Sequence, residues 1–184
     1  MKEAIKITSV LTSVCLICAL LLSVVYSSVN KKIETNKEKR VEEALTTLAP
    51  EAKKVEKSYI EEEIIYKLFD GEKKLIGYGF IASGQGYQGK IKMLVVSDKL
   101  LEYLKGVEVV ESLETPGLGA KIQEAPFKNQ FKGLKVIESM IYTKGEVEKL
   151  GQIKAITGAT VSSRAVVNIL NARIKEIRKL IIKE

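Results

Sequence analysis

The chain has 184 residues, with 30 Lys plus Arg against 23 Asp plus Glu, for a formal net charge of +7. It has no His and two Cys, which excludes a Ser-His-Asp or Cys-His triad, an HExxH zinc site, an axial-His haem and a four-Cys metal centre within the chain. An apolar content of 46% with 29% charged residues belongs to a folded chain, and the length suits one domain with an appendage. The positive surplus by itself points to nucleic acid or anionic lipid without choosing between them.

The apolar content is uneven. Residues 7–30 carry no charge and are dominated by Val, Leu, Ile, Cys and Ala. A helix of that length spans the roughly 30 Å hydrocarbon core of a bilayer. A signal peptide would have a shorter apolar core and a small-x-small cleavage site, so the reading is an uncleaved anchor, with residues 1–30 as stub and anchor and 31–184 as the folded domain. Lys2 and Lys6 flank one end, while Lys31, Lys32, Lys37, Lys39 and Arg40 crowd the other. That count alone slightly favours the domain inside. Cys15 and Cys18 share a helix face. They read as small apolar side chains, with a thiolate metal site shared with a partner as the alternative.

Residues 30–48 read as a polar amphipathic helix with Ile33, Val41, Ala44, Leu45 and Leu48 as its stripe and Pro50 as its stop. Strands are expected over 59–69 and 75–82, with Asp70-Gly71 as the turn between them. Further strands are expected over 90–97, 107–112 and 135–142, with a loop or short helical turn over 98–105. Residues 164–182 place Val166, Val167, Leu170, Ile174, Ile177 and Ile181 at helical spacing. Arg173, Lys175, Arg178 and Lys179 lie on its polar face. The expected fold class is α+β: a single N-terminal transmembrane helix, then a domain with a curved, mainly antiparallel sheet and a long C-terminal helix over one face.

Three Gly-rich patches interrupt this pattern: Gly84-Gln85-Gly86-Tyr87-Gln88-Gly89, Glu114-Thr115-Pro116-Gly117-Leu118-Gly119, and Thr157-Gly158-Ala159-Thr160 followed by Val161-Ser162-Ser163. None is a Walker A loop or a dinucleotide fingerprint. The first two read first as turns, with Gly supplying positive φ and Pro116 a turn entry. The third leads into a helix N-terminus, where free N–H groups suit a phosphate, although plain N-capping by Thr160 or Ser162 uses the same residues.

The run from Thr157 to Val167 resembles the covalent flavin-attachment segment of the G subunit of the Rnf ion-translocating electron-transport complex. A related segment occurs in the C subunit of the sodium-translocating NADH:quinone reductase. The run from Glu114 to Ile122 is similar to a second signature of that family, and Gly86-Tyr87-Gln88-Gly89 with its apolar strand to a third. Phe127, Phe131 and Gly133 fit the segment between them. The resemblance covers nearly the whole chain, anchor included. It implies an FMN joined by a phosphoester to Thr160. The N–H groups around Ala159, Val161 and Ser162 would face the phosphate, Gly158 would permit its approach, and Thr157 would bond to it or hold the loop. Glu114, Thr115, Gly117 and Leu118 would line the isoalloxazine, with Tyr87 as a second contact. No catalytic residue and no metal ligand is implied.

The resemblance further implies a single-pass protein of the cell (inner) membrane with its domain on the extracytoplasmic side. Its partners would be the membrane and redox subunits of an Rnf-type complex coupling ferredoxin/NAD chemistry to Na⁺ or H⁺ translocation. A flavin transferase would mature it, and membrane lipid would surround the anchor. The protein would carry electrons rather than act as a stand-alone catalyst. Two positions depart from the family pattern: Lys154 stands where an Asp is usual, and Ser112 where a His is common. The alternatives are an FMN-carrying component of an NADH:quinone reductase or of an extracellular electron-transfer system, and, because of Lys154, a flavin-free anchored scaffold. Few aromatics and no stacking platform argue against nucleic acid.

Overall fold

The computed structural model describes residues 2–61 and 63–183. Its first helix, α1 (Lys2–Leu48), has 47 residues. Compactness divides the chain into residues 1–40 and residues 41–184.

Within the first unit, Lys2–Ser27 is a 26-residue helical stretch with no buried side chains. At roughly 1.5 Å per residue it exceeds a hydrocarbon core of roughly 30 Å. It is the one helix among the described residues long and apolar enough to span. Its hydroxyls are satisfied locally: Thr8 Oγ1 donates to Ala4 O at 2.9 Å and Ser13 Oγ to Ser9 O at 2.8 Å. A helix exposed and apolar all round is stable in lipid rather than water.

The second unit is built on a five-stranded antiparallel meander. Its strands are β1 (Lys54–Ile60), β2 (Glu63–Phe69), β3 (Leu75–Gln85), β4 (Lys90–Asp98) and β5 (Leu104–Ser112), adjacent in chain order. The interior strand β4, between β3 and β5, shows the governing pattern. Ile91, Met93 and Val95 face one layer and Leu94 and Val96 the other, and all are fully buried. A strand with both faces apolar requires a cover on each side. The last turns of α1 supply one, with Val41, Ala44, Leu45 and Leu48 against Leu68, Leu94, Val96 and Val110. Ile33, read as part of this stripe, is exposed. The helix α3 (Thr160–Lys183) supplies the other, with Val166, Val167, Leu170, Ile174 and Ile177 against Ile65, Phe80 and Met93.

The α+β architecture matches the expectation, except that the sheet, expected to be curved, is open and not curled. Particular elements differ. Residues 59–69 are not one strand: the chain reverses at Glu61, with φ +47°, and β1 pairs with β2. No Gly, Pro or Asn marks this reversal, and a Glu in the left-handed region is uncommon. At the expected Asp70-Gly71 turn the left-handed residue is Lys73, while Asp70 Oδ1 accepts the N–H groups of Glu72 and Lys74, both at 2.9 Å.

The strand expected over 135–142 is mostly irregular. Its backbone groups find other partners: Val136 N–H donates to Glu102 O, and the Asn171 side chain bonds both the N–H and the C=O of Met140 at 2.8 Å. Only β6 (Ile141–Thr143) is extended, paired in parallel with β7 (Gln152–Lys154). Between β5 and this pair lie a 3-10 turn (Gly119–Gln123), the one-turn α2 (Ala125–Lys128) and a second 3-10 turn (Asn129–Phe131), which bring Phe127 and Phe131 edge to face in the core.

The basic face of α3 is largely structural. Arg173 Nε donates to Ile81 O at 2.9 Å, and its guanidinium pairs with Glu63 and Glu176. Arg178 donates to the carbonyls of Leu101 and Val136 at 2.6 and 3.0 Å. Two of the surplus positives are thus occupied in tying α3 to the sheet and to the chain that crosses it.

Leu170→Ala empties a fully buried site between α3 and the sheet and is expected to cost about 2–5 kcal/mol, read from chemical denaturation. The Lys105 ammonium beside Glu51 holds its carboxyl below the ordinary value of 4.5, against a smaller opposing effect of burial. A lowered folded pKa stabilises above the unfolded pKa and is lost as pH falls through the folded one. Glu51→Gln should therefore be slightly less stable than wild type at pH 7, with the difference vanishing in acid. Denaturant midpoints across pH check it. The effect is small because the Glu51 side chain is half exposed.

Candidate functional site

Three loops distant in sequence meet at the N-terminus of α3 and enclose a cavity of about 420 Å³. The loop after β3 contributes Tyr87. The loop after β5 contributes Glu114, Thr115, Leu118 and Gly119, and the loop after β7 with the first turn of α3 contributes Gly158, Ala159, Thr160, Val161 and Ser162. Of the expected site residues, only Thr157 and Gly117 lie off the wall. Thr157 is solvent-exposed, and Gly117 turns the second loop with φ +76°.

One buried carboxylate joins all three loops. Glu114 is 5% exposed. Its Oε1 accepts the N–H groups of Tyr87 and Gln88 at 2.7 and 3.1 Å, and its Oε2 accepts the Ser162 hydroxyl at 2.6 Å. Its own N–H donates to Ser112 Oγ at 3.2 Å. Charge-assisted bonds of this kind are roughly twice as strong as neutral ones. The carboxylate also dictates two glycines. A Cβ on Gly86 would stand 2.2 Å from Oε1, and one on Gly119 would stand 2.4 Å from Oε2 and 2.7 Å from Ser162 Oγ. Reasoning from sequence assigned Glu114 to the ligand and Gly119 to nothing. The signal, a glycine spaced from an acid, has meaning only once the loop folds back.

The third loop is built to present backbone donors. Gly158, at φ +82°, swings the chain into α3. The helix begins at Thr160, four residues earlier than its apolar periodicity shows, because its first turn is the polar run of the motif itself. The first helical bond of this turn is Ser163 N–H to Ala159 O at 3.0 Å. The N–H groups of Thr160, Val161 and Ser162 precede it, as the donors of any first helical turn do. Ser163 is fully buried and knits the loop: its hydroxyl donates to Ala159 O and accepts Ile156 N–H, both at 3.0 Å.

The rim is apolar and exposed. Tyr87 is 66%, Leu118 50% and Val161 43% exposed. Donors from a helix terminus at one end and bare apolar side chains at the other suit a ligand with an anionic head and a flat hydrophobic body. FMN is such a molecule.

Residues 86–175 match the family described as the FMN-binding domain. That segment is similar to this domain, and the chain as a whole is similar to G subunits of ion-translocating redox complexes. It is 29% identical over 181 residues to the G subunit of the ion-translocating oxidoreductase complex of Methanosarcina acetivorans, covering 94% of each chain. It is 28% identical over 175 residues to the G subunit of the proton-translocating ferredoxin:NAD(+) oxidoreductase complex of Clostridium ljungdahlii, covering 93% of this chain and 90% of that one. The crystal structure of Shewanella oneidensis NqrC matches with a TM-score of 0.58 and 26% identity, over 61% of this chain and 55% of that one. The matched family segment begins at Gly86 and ends at Lys175, so it takes in all three loops.

Both departures from the family pattern have partners here. Lys154 does not line the cavity: its ammonium pairs with Glu146 at 2.6 Å, and its backbone N–H and C=O are both held by the Gln130 side chain. Ser112 caps the N–H of Glu114. Neither substitution removes a cavity group.

Gly119→Ala is expected to break the Glu114–Ser162 contact, at a cost of about 1–3 kcal/mol for overpacking. Thermal unfolding of the flavin-free domain measures it. An unchanged melting temperature would show that the carboxylate has room to move.

Proposed function

We propose that this protein is a membrane-anchored flavoprotein that relays electrons within an Rnf-type, redox-driven ion-translocating complex, carrying FMN as a phosphoester on Thr160. The supporting observation is the convergence of three sequence-distant loops on one cavity at the start of α3, joined by Glu114. The relatives named above are subunits of such complexes, and membership of a multisubunit redox complex comes with them. The protein is an electron-transfer subunit, not a stand-alone catalyst.

Thr160 is favoured by what its neighbours are doing. Four hydroxyls lie between residues 157 and 163. Ser162 is committed to Glu114, and Ser163 to Ala159 and Ile156. Both are buried. Thr157 lies off the cavity wall, whereas the half-buried Thr160 lies on it. A flavin transferase installing the ester therefore meets one hydroxyl that is both free of these networks and inside the cavity.

FMN, when bound, would supply the reversible electron chemistry that the protein's own side chains do not. The chain's own groups hold it. The N–H groups of Thr160, Val161 and Ser162, with the positive end of α3, offset the phosphate charge. Leu118 and Tyr87, on the exposed rim of the cavity, would pack on the ring. A single helix cannot form an ion path, so translocation belongs to partner subunits, and the anchor, in contact with lipid, holds the flavin domain beside them. The domain lies on the extracytoplasmic side, where the surplus of Lys next to the anchor is the weaker signal.

Intact-mass analysis of the full chain co-expressed with a flavin transferase should show one FMN less one water, lost in Thr160→Ala and kept in Ser162→Ala. An unmodified wild-type chain from native membranes would overturn the covalent assignment. Residues 41–184 contain no Cys, so Leu150→Cys places a single thiol at a 93% exposed position of the domain. It should react with an impermeant maleimide in intact cells or spheroplasts. Protection until the membrane is opened would place the domain inside.

A further inference from the structure

Glu114 is the one charged side chain on the cavity wall among the described residues. Its partners are two backbone N–H groups and a hydroxyl, all neutral, with no Lys or Arg among them. Both of its oxygens are engaged by these donors. The charge is therefore hydrogen-bonded but not neutralised, and it is held where solvent does not screen it. A structural staple for three loops needs no net charge; an amide would bridge the same groups. The carboxylate adds a fixed negative potential on the wall of the cavity.

We infer that Glu114 is an electrostatic tuning residue: its buried charge sets the reduction potential of the cofactor in this cavity to a more negative value than the same cavity with a neutral side chain. This rests on the flavin reading of the site. The physical reason is that reduction brings electrons, and negative charge, to a group beside an existing negative charge that water cannot screen and no cation cancels. The three donors moderate the field without removing it, and Ser162 is the one that can be deleted without touching the backbone. Removing the Ser162 hydroxyl leaves the charge in place with one donor fewer, so its field on the cavity grows. Glu114→Gln and Ser162→Ala should therefore move the potential in opposite directions. Disruption of the site by either change gives no reason for opposite signs.

Glu114→Gln keeps the packing. Its Oε1 can still accept from Tyr87 and Gln88, and its Nε2 can donate to Ser162 Oγ.

The experiment is a spectroelectrochemical titration of the full flavin-loaded chain in detergent, at low and high salt, with flavin content and thermal unfolding measured on the same samples. The expected result is a midpoint shifted positive in Glu114→Gln, shifted negative in Ser162→Ala, and close to wild type in Glu114→Asp. The shifts should persist at high salt, because the charge is buried. A Glu114→Gln protein with full flavin content and an unchanged midpoint overturns the inference. So do shifts of the same sign in both variants, or a shift that salt abolishes. If Glu114→Gln does not fold, the sign of the Ser162→Ala shift decides, and a positive shift there overturns it. Failure of the underlying reading looks different: the wild-type chain would then carry no flavin at all, and the inference would fall with it.

Discussion

A buried carboxylate that must be satisfied is the constraint on which the site depends. Taking an ionised group out of water costs several kcal/mol unless hydrogen bonds replace its hydration. Glu114 is satisfied by donors from two loops besides its own, at Tyr87, Gln88 and Ser162. Each loop is thus fixed by a group that the others hold in place. Two glycines follow directly, since side chains at Gly86 and Gly119 would occupy the carboxylate's space. What reads in sequence as three unrelated turn signals is one polar junction with its sterically required vacancies.

The junction works because it sits on a rigid element. Beyond its first turn, α3 buries Val166, Val167, Leu170, Ile174 and Ile177 against the sheet, and Arg173 and Arg178 reach back to loop and strand carbonyls. The helix terminus that offers its N–H groups to the cavity is consequently held by the core of the domain. A site on such an element keeps its geometry better than one on free loops. Burial of β4 on both faces places the last turns of α1, from Val41, on one side and α3 on the other. The ligand cavity lies at the α3 end of this layering.

Anchor and domain divide the physical tasks. The 2–27 segment is apolar all round and exposed, a helix for lipid. The 41–184 unit has its own core on both sheet faces. Part of the positive charge is used inside the domain. Lys105, Lys128, Lys154, Arg173 and Arg178 are paired or bonded to carbonyls within the domain. The absence of His is in keeping with a protein whose reactive group is an imported cofactor.

The sequence by itself determined the membrane anchor, the α+β class, β3, β4 and most of α3, because apolar periodicity and uninterrupted apolar length are local properties. It also singled out the three glycine-rich loops and Thr160. The tertiary structure alone decided how those loops are connected. Glu114 reads in sequence as a ligand-lining acid, and nothing local links it to Ser162 or to Gln88 more than two dozen residues away. The β1–β2 reversal was hidden because Glu61 takes a left-handed conformation without any residue that favours it. Residues 135–140 carry strand-forming side chains but lie where Asn171 and Glu102 satisfy their backbone. Periodicity reports which face is buried. The partners of a backbone or a buried charge are chosen only when distant segments meet, and that choice made this site.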